Sequence, residues 1–314
     1  MTDTTHSATR AAAIPAAQTA PDAAAPQTAL QTAPQTALST HGPVPFAPPQ
    51  SWRARLAMLV IPPVVVFILL LVAYAMVRAQ LEPHRQFLMP SGQALWERAL
   101  SRPEVLRDLF DRALITLGLA MAGLAVSIPV GILLAVVMFR AVILERALFP
   151  NIVALQSIPT LAIIPLIQTA LGFGTLPKIL IVAKFTLFAI PITLLLGLRS
   201  TDRDTINLFK LQGAPWRTIL IKACFPSAAP ALFAGLRIAA SLAVLSAIVS
   251  ELFFLAGRGG LGQMIINSKI DFKYEEMYAA LIVATLMSVS VYVAFTWLGH
   301  RLFSEWHESG GKET

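Results

Sequence analysis

Charged side chains are scarce in this chain: 13% of its residues are Asp, Glu, Lys or Arg, against about 25% in a soluble globular domain. So little charge cannot dress a water-facing surface around the 56% of residues that are hydrophobic. Cysteine is nearly absent, since Cys224 stands alone, which excludes an internal disulfide and a cysteine-built metal cluster. The five histidines, His6, His41, His84, His300 and His307, lie in tails or at the ends of apolar runs without ligand spacing, which speaks against a structural zinc site. No GxxxxGKS or GxxxxGKT loop occurs, so nothing here cradles a nucleotide phosphate. Neither His-Glu-x-x-His nor a cluster of acids at catalytic spacing is present, and no catalytic, cofactor-binding or metal-binding residue is assigned.

What is abundant is apolar sequence in runs near the length that crosses about 30 Å of hydrocarbon. The runs are Ala57 to Val77, Ala113 to Phe139, Leu148 to Leu171, Leu176 to Leu198, Ala231 to Leu255 and Met277 to Gly299. They predict an all-α polytopic membrane protein of about six transmembrane helices. The formal charge of +7 does not point to a nucleic-acid partner, because the basic residues sit in short segments between the apolar runs. Membrane lipid headgroups account for them better. The basic residues divide almost evenly between the two sides, so charge bias does not orient the chain, and both termini are assigned to the cytoplasm.

Four segments follow. Residues 1–50 are rich in Ala, Thr, Pro and Gln, with QTAP at Gln18 and Gln31 and QTAL at Gln27 and Gln35. Such a stretch buries too little apolar surface to offset its ordering entropy and reads as a disordered tail. No basic start followed by an apolar core precedes Trp52, so the tail is expected to stay on the protein. Residues 51–111 hold the first span, with Pro62 and Pro63 in its first turns, and a connector expected to form one or two amphipathic surface helices from Leu95, Leu100, Val105 and Leu109. Residues 112–300 form the core and 301–314 a short cytoplasmic tail. Pro129, Pro159, Pro165 and Pro191 are expected to kink spans two to four.

Residues 199–226 interrupt the core with a polar, basic insertion. Leu208, Leu211 and Ile219 to Ile221 are spaced for two short helices, with Gly213 at the break and Pro215 opening the second. A helix-turn-helix outside the membrane and an ordinary surface loop both fit this pattern. Three charges fall inside spans, where each is costly. Lys184 either contacts an anionic or polar solute or reaches to the outer interface; Arg237 either lines a pathway or snorkels to lipid phosphate; Glu251 accepts amides of the Gly-rich loop 257–262 or contacts solute. None forms the carboxylate relay of a gradient-driven pump, though an ion-gradient-driven secondary transporter remains the alternative.

The run GAPWRTILIKACFPSAAPALFAGLRIAASLAVLSAIVSELFFLAGRGGLG, starting at Gly213, resembles the signature region of binding-protein-dependent ABC importer permeases of the sulfonate, taurine, nitrate and thiamin-pyrimidine branch. That family's loop reads Glu-Ala-Ala, three residues, Gly, nine residues, Ile, one residue, Leu-Pro. Gly213 and Pro226 keep it, while Asn207-Leu208-Phe209, Ala223 and Phe225 replace the rest, so the family's loop Glu is missing here. Pro230, Gly235-Leu236-Arg237, Glu251 and Gly260-Leu261-Gly262 also match, as do Leu88-Met89-Pro90 and Gly197-Leu198-Arg199. Within the branch, LFAGLRIAASLAVLSAIVSE looks more like pyrimidine or riboflavin permeases than sulfonate permeases.

The resemblance implies a type I ABC importer permease in a bacterial cytoplasmic (inner) membrane, taking a small polar or anionic solute. Its partners would be ABC ATPase subunits holding ATP and Mg, a periplasmic or lipid-anchored solute-binding protein, and a second copy of the chain as a permease homodimer. It implies that Asn207, Phe209, Lys210, Leu211, Gly213, Trp216, Arg217 and Pro226 belong to an ATPase-coupling loop, with Arg203 nearby. Lys184, singled out by its charge within a span, joins Arg237, Glu251, Gly260 and Gly262, which the resemblance also matches, as the gate or pathway candidates.

Overall fold

A computed structural model describes residues 52–255 and 259–307, so the expected tail over 1–50, the last residues 308–314 and part of the Gly-rich loop lie outside the described residues. The chain divides into two units, Met1–Ala73 and Tyr74–Thr314. The described part of the first is most of helix α1 (Trp52–Gln80), whose run of Val, Ile and Leu is exposed and reaches a mean hydropathy of 2.7. Because α1 starts at Trp52, Pro62 and Pro63 lie about three turns inside it and not in its first turns as expected. Each proline removes the amide that would return to the carbonyl four residues earlier.

The second unit opens with the end of α1. Tyr74 donates its hydroxyl to the Pro90 carbonyl at 2.9 Å, and Arg78 donates Nε to the Met89 carbonyl at 2.8 Å. Between these anchors runs a 3-10 turn, Pro83–Leu88; then come α2 (Gly92–Leu95), capped by Ser91, and a π turn, Trp96–Leu100. The connector therefore holds only short helical turns in its first half. Its second half, expected as surface helix, is the start of the second span, because α3 (Pro103–Arg140) begins at a proline whose missing amide costs nothing there. Val105 and Leu109 pack inward, with Leu109 against Leu261, Met264, Ala279 and Ala280.

The third apolar run is not one straight span. It forms α4 (Val142–Ser157) and α5 (Thr160–Leu171), which meet at 90°. Pro159 has no amide to give and holds Ile158 in an extended conformation, φ −65° and ψ 122°, so the helix breaks between them. The fourth run forms α6 (Thr175–Leu187) and α7 (Ala189–Arg199), interrupted only at Phe188, where Pro191 leaves the Leu187 carbonyl without its helical donor. The polar insertion gives α8 (Arg203–Leu211) and α9 (Trp216–Ile219); a π turn, Leu220–Cys224, then leads into α10 (Phe225–Phe253). Helices α11 (Leu261–Ile270) and α12 (Tyr274–His307) complete the described chain.

Five helices among the described residues are long and apolar enough to cross a membrane, and six if the bent α4–α5 pair counts as one span. No strand occurs among them. Helix α10 is central and packs on α3, α6, α7 and α12. Its inward stripe is Ala239, Ala240, Ala243, Val244 and Ala247, all fully buried, and these small side chains let the backbones approach. Gly235 extends that stripe: a Cβ there would lie 2.0 Å from the Thr193 hydroxyl of α7.

Candidate functional site

Two sites emerge at opposite ends of the run from Trp216 to Phe253. The first is built around Glu251, which is 1% exposed near the end of α10. Its Oε2 accepts the Thr116 hydroxyl of α3 at 2.9 Å and the Gly262 amide of α11 at 2.9 Å. The Thr116 oxygen in turn accepts the Leu261 amide at 2.8 Å. Oε1 is buried without a hydrogen bond among the described residues. The glycines are dictated by space. A Cβ on Gly260 would lie 2.0 Å from the Thr116 hydroxyl and 2.4 Å from Oε1, and one on Gly262 would lie 2.3 Å from the Ile248 carbonyl.

Surrounding contacts close this end of the bundle. Gln263 donates to the Leu255 carbonyl and accepts the Gly259 amide, so it clasps both sides of the Gly-rich loop. Arg112, paired with Asp108 at 2.7 Å, donates to the Gly259 carbonyl at 3.3 Å. Gln168 of α5 donates to the Phe253 carbonyl at 2.9 Å. Lys178 of α6 is buried, stands 5.9 Å from the centre of the Phe254 ring, and its positive charge acts on Glu251. One carboxylate thus joins α3, α10 and the start of α11, with a cation near.

The structure brings Glu251, Gly260 and Gly262 together; Lys184 and Arg237 hydrogen-bond to none of them. Lys184 donates to the Ile158 carbonyl at 2.8 Å and to the Thr160 hydroxyl at 2.6 Å, pinning α6 to the break between α4 and α5. These two bonds are a third role, beside the solute contact and the reach to the interface that its sequence position offered. Arg237 is half-buried on α10. Sequence reasoning missed Lys178, Thr116 and Gln263. Lys178 carried a readable signal, since it stands three and four residues before the buried Ile181 and Val182 and so shares their helix face.

The second site is the insertion between α7 and α10. Asp202 caps α8, accepting the amides of Asp204 and Thr205 at 3.3 and 3.1 Å and the Thr205 hydroxyl at 3.0 Å. These donors, the Thr205 amide foremost, hold its carboxyl below the ordinary aspartate range. The helix stops at Gly213, φ 72°, where the Gly213 amide returns to the Lys210 carbonyl and the Ala214 amide to that of Phe209, both at 3.0 Å. This is the paired bonding of a left-handed C-terminal cap.

The two faces of α8 differ. Ile206 and Phe209 pack with Trp216 on the core that α7 and α10 share, whereas Leu208 and Leu211 are 56% and 86% exposed. Asn207, Lys210 and Arg217 are exposed, and Pro226 is half-buried in the first turn of α10. Arg199 is ion-paired with Glu145 of α4, and the Arg140 guanidinium lies 5.3 Å over the Trp216 ring. Of the large apolar side chains assigned to the coupling loop, Leu211 is exposed, while Phe209 and Trp216 pack on the chain's own core.

Residues 127–304 match the family of binding-protein-dependent transport system inner membrane components. The formylaminopyrimidine transport permease protein ThiX of Halalkalibacterium halodurans is 33% identical over 66% of this chain and 82% of its own. The riboflavin transport system permease protein RibX of Chloroflexus aurantiacus is 36% identical over 53% of this chain and 61% of its own. A putative aliphatic sulfonates transport permease protein SsuC of Bacillus subtilis is 24% identical over 64% of this chain and 72% of its own. Among solved structures, an amino acid ABC transporter with histidines shares the fold, with a TM-score of 0.52 at 14% identity over 64% of this chain and 97% of that one.

Proposed function

The chain belongs to the family of binding-protein-dependent transport system inner membrane components, ABC importer permeases for small solutes, and from that premise we propose how it couples to ATP hydrolysis. The permease has both termini in the cytoplasm, works as a homodimer, takes solute from a binding protein and seats its 199–226 insertion on separate ATPase subunits that hold ATP and Mg. The solute is small and polar or anionic; names of similar permeases, for formylaminopyrimidine and riboflavin, favour a pyrimidine-like ring over a sulfonate.

The observation that carries the coupling role is the division of α8 into an inward face and an outward one. Leu208 and Leu211 form an exposed apolar ridge, flanked by Asn207 and Lys210, on a short helix capped at both ends. Ile206 and Phe209 fasten the same helix to the core that α10 shares. Displacement of the ridge by a closing ATPase pair therefore reaches α9 and α10 as motion of a nearly continuous helix. From Trp216 to Glu251 that helix is about 52 Å long at 1.5 Å per residue. Its far end carries the Glu251 cluster, which ties α10 to α3 and to the Gly-rich loop. Rocking of α10 opens and closes the outer face there, as alternating access requires.

Co-purification of the tagged chain with candidate ATPase subunits tests this. Wild type should retain an ATPase that a Leu208→Glu, Leu211→Glu variant loses, while the variant keeps its circular dichroism. If no ATPase associates with either, the coupling role falls and a gradient-driven mechanism takes its place.

A further inference from the structure

An open pocket of about 550 Å³ lies where α3 ends and α9 begins, and no role above uses it. Its inner wall is Val136, Val137 and Leu144; its outer wall is Arg140, Trp216 and Arg217. Val136 and Val137 sit four and three residues inside α3 from Arg140, about 5 Å along the axis. The pocket thus sets two valines and a leucine beside an indole and two arginines.

Arg140 and Arg217 make no ion pair with a carboxylate among the described residues, and Glu145, the acid on neighbouring α4, is taken by Arg199. The Arg140 guanidinium lies 5.3 Å from the centre of the Trp216 ring, a cation–π contact that brings no carboxylate to its charge. An apolar wall beside two arginines that pair with no carboxylate among the described residues fits an amphiphile with one anionic oxygen-rich head, because a guanidinium binds phosphate through paired hydrogen bonds. An acidic peptide would supply the charge but would leave Val136 and Val137 facing a hydrated backbone.

We propose that this pocket is a binding site for an anionic phospholipid, with phosphate between Arg140 and Arg217 and acyl chain along Val136 and Val137. Because the site includes the first residues after the Gly213 turn, a bound lipid braces the hinge between α8 and α10. The inference concerns lipid alone: it holds if no ATPase docks, and if one does it requires the ATPase to rest on the Leu208 and Leu211 ridge and leave Trp216 and Arg217 open.

Trp216 supplies the probe. With Trp52, Trp96, Trp297 and Trp306 replaced by Phe, its fluorescence is measured in phosphatidylcholine vesicles containing increasing fractions of brominated phosphatidylglycerol or brominated phosphatidylcholine. Half-quenching should need about tenfold less brominated phosphatidylglycerol than brominated phosphatidylcholine. That ratio should fall to about one in Arg140→Gln, Arg217→Gln and be kept in Arg140→Lys, Arg217→Lys, each variant being its own control for folding. Equal half-quenching by both lipids in the parent, or a preference that survives the Gln pair, overturns the proposal. So does equal protection of Trp216 from both lipids when ATPase subunits are added, which would assign the pocket to the protein interface.

Discussion

Thr116 on α3 donates its hydroxyl to Glu251 on α10 at 2.9 Å while accepting the Leu261 amide at 2.8 Å, so a single oxygen holds three elements together. Both residues are buried, and a buried polar group that loses its partner costs about 1–3 kcal/mol. Thr116→Val keeps the shape and removes both bonds. It should lower stability in detergent by about that amount and slow solute uptake, and Thr116→Ser should restore most of each. A valine variant with wild-type melting would show that the hydroxyl is dispensable.

The same cluster predicts opposite fates for two glycines. At Gly260 a Cβ meets the Thr116 and Glu251 oxygens at 2.0 and 2.4 Å, and overpacking of a tight site costs about 1–3 kcal/mol. Gly118, on an exposed turn of α3, has nothing within 4 Å of its ideal Cβ, and alanine there gains up to about 1 kcal/mol of helix propensity. Thermal unfolding of the two alanine variants side by side should move in opposite directions. If Gly260→Ala melts like wild type, the Glu251 carboxylate is not held where the geometry puts it.

Lys184 separates hydrogen bonding from charge. If its work is to satisfy the Ile158 carbonyl freed by the break at Pro159, then Lys184→Gln, still a donor, should keep most of the stability that Lys184→Met loses. If it serves an anionic solute, Gln should fold normally and fail in uptake while Arg recovers. Melting and uptake read together for the three variants decide between these roles.

The apolar runs told the number and order of spans, because a membrane demands length and hydropathy and little else. The turn at Gly213 was equally open, since only a left-handed residue with a proline behind it makes that reversal cheaply. What stayed hidden depended on neighbours distant in sequence. The right-angle break at Ile158 was only a suspected kink until α6 supplied Lys184 to hold it. Thr116 lies 135 residues from Glu251, and no pattern in α3 distinguishes it from any threonine in an apolar helix. Phe209 sits on a helix of nine residues that has two faces, and only packing tells which one the core takes; Trp216, on the next helix, packs on the same core.

Asp202 gives the 199–226 insertion a dependence on pH. Its carboxyl is held below the ordinary aspartate value by the amides it caps, so it contributes stability that is full above the unfolded value and is lost as pH falls through the lower, folded one. Between about pH 6 and pH 3, wild type should lose more thermal stability than Asp202→Asn, whose amide oxygen caps without titrating. Identical pH slopes for the two proteins would remove Asp202 from the account of how α8 is fixed.

If the insertion couples to an ATPase as proposed, Gly213 is where that connection can be loosened without touching either end. Its φ of 72° suits glycine, and no atom stands within 4 Å of an ideal Cβ, so alanine there adds backbone strain of about 1–2 kcal/mol and no clash. The strain falls on the Phe209 and Lys210 bonds that close α8, far from the Glu251 cluster. In vesicles with ATPase subunits and binding protein, Gly213→Ala should still bind the ATPase through Leu208 and Leu211 but hydrolyse more ATP per solute moved. Gly213→Asn, which tolerates the left-handed region, should lie between alanine and wild type. An unchanged ratio of hydrolysis to uptake in Gly213→Ala would mean that force does not pass through this turn, and the exposed ridge of α8 would then act only as an anchor.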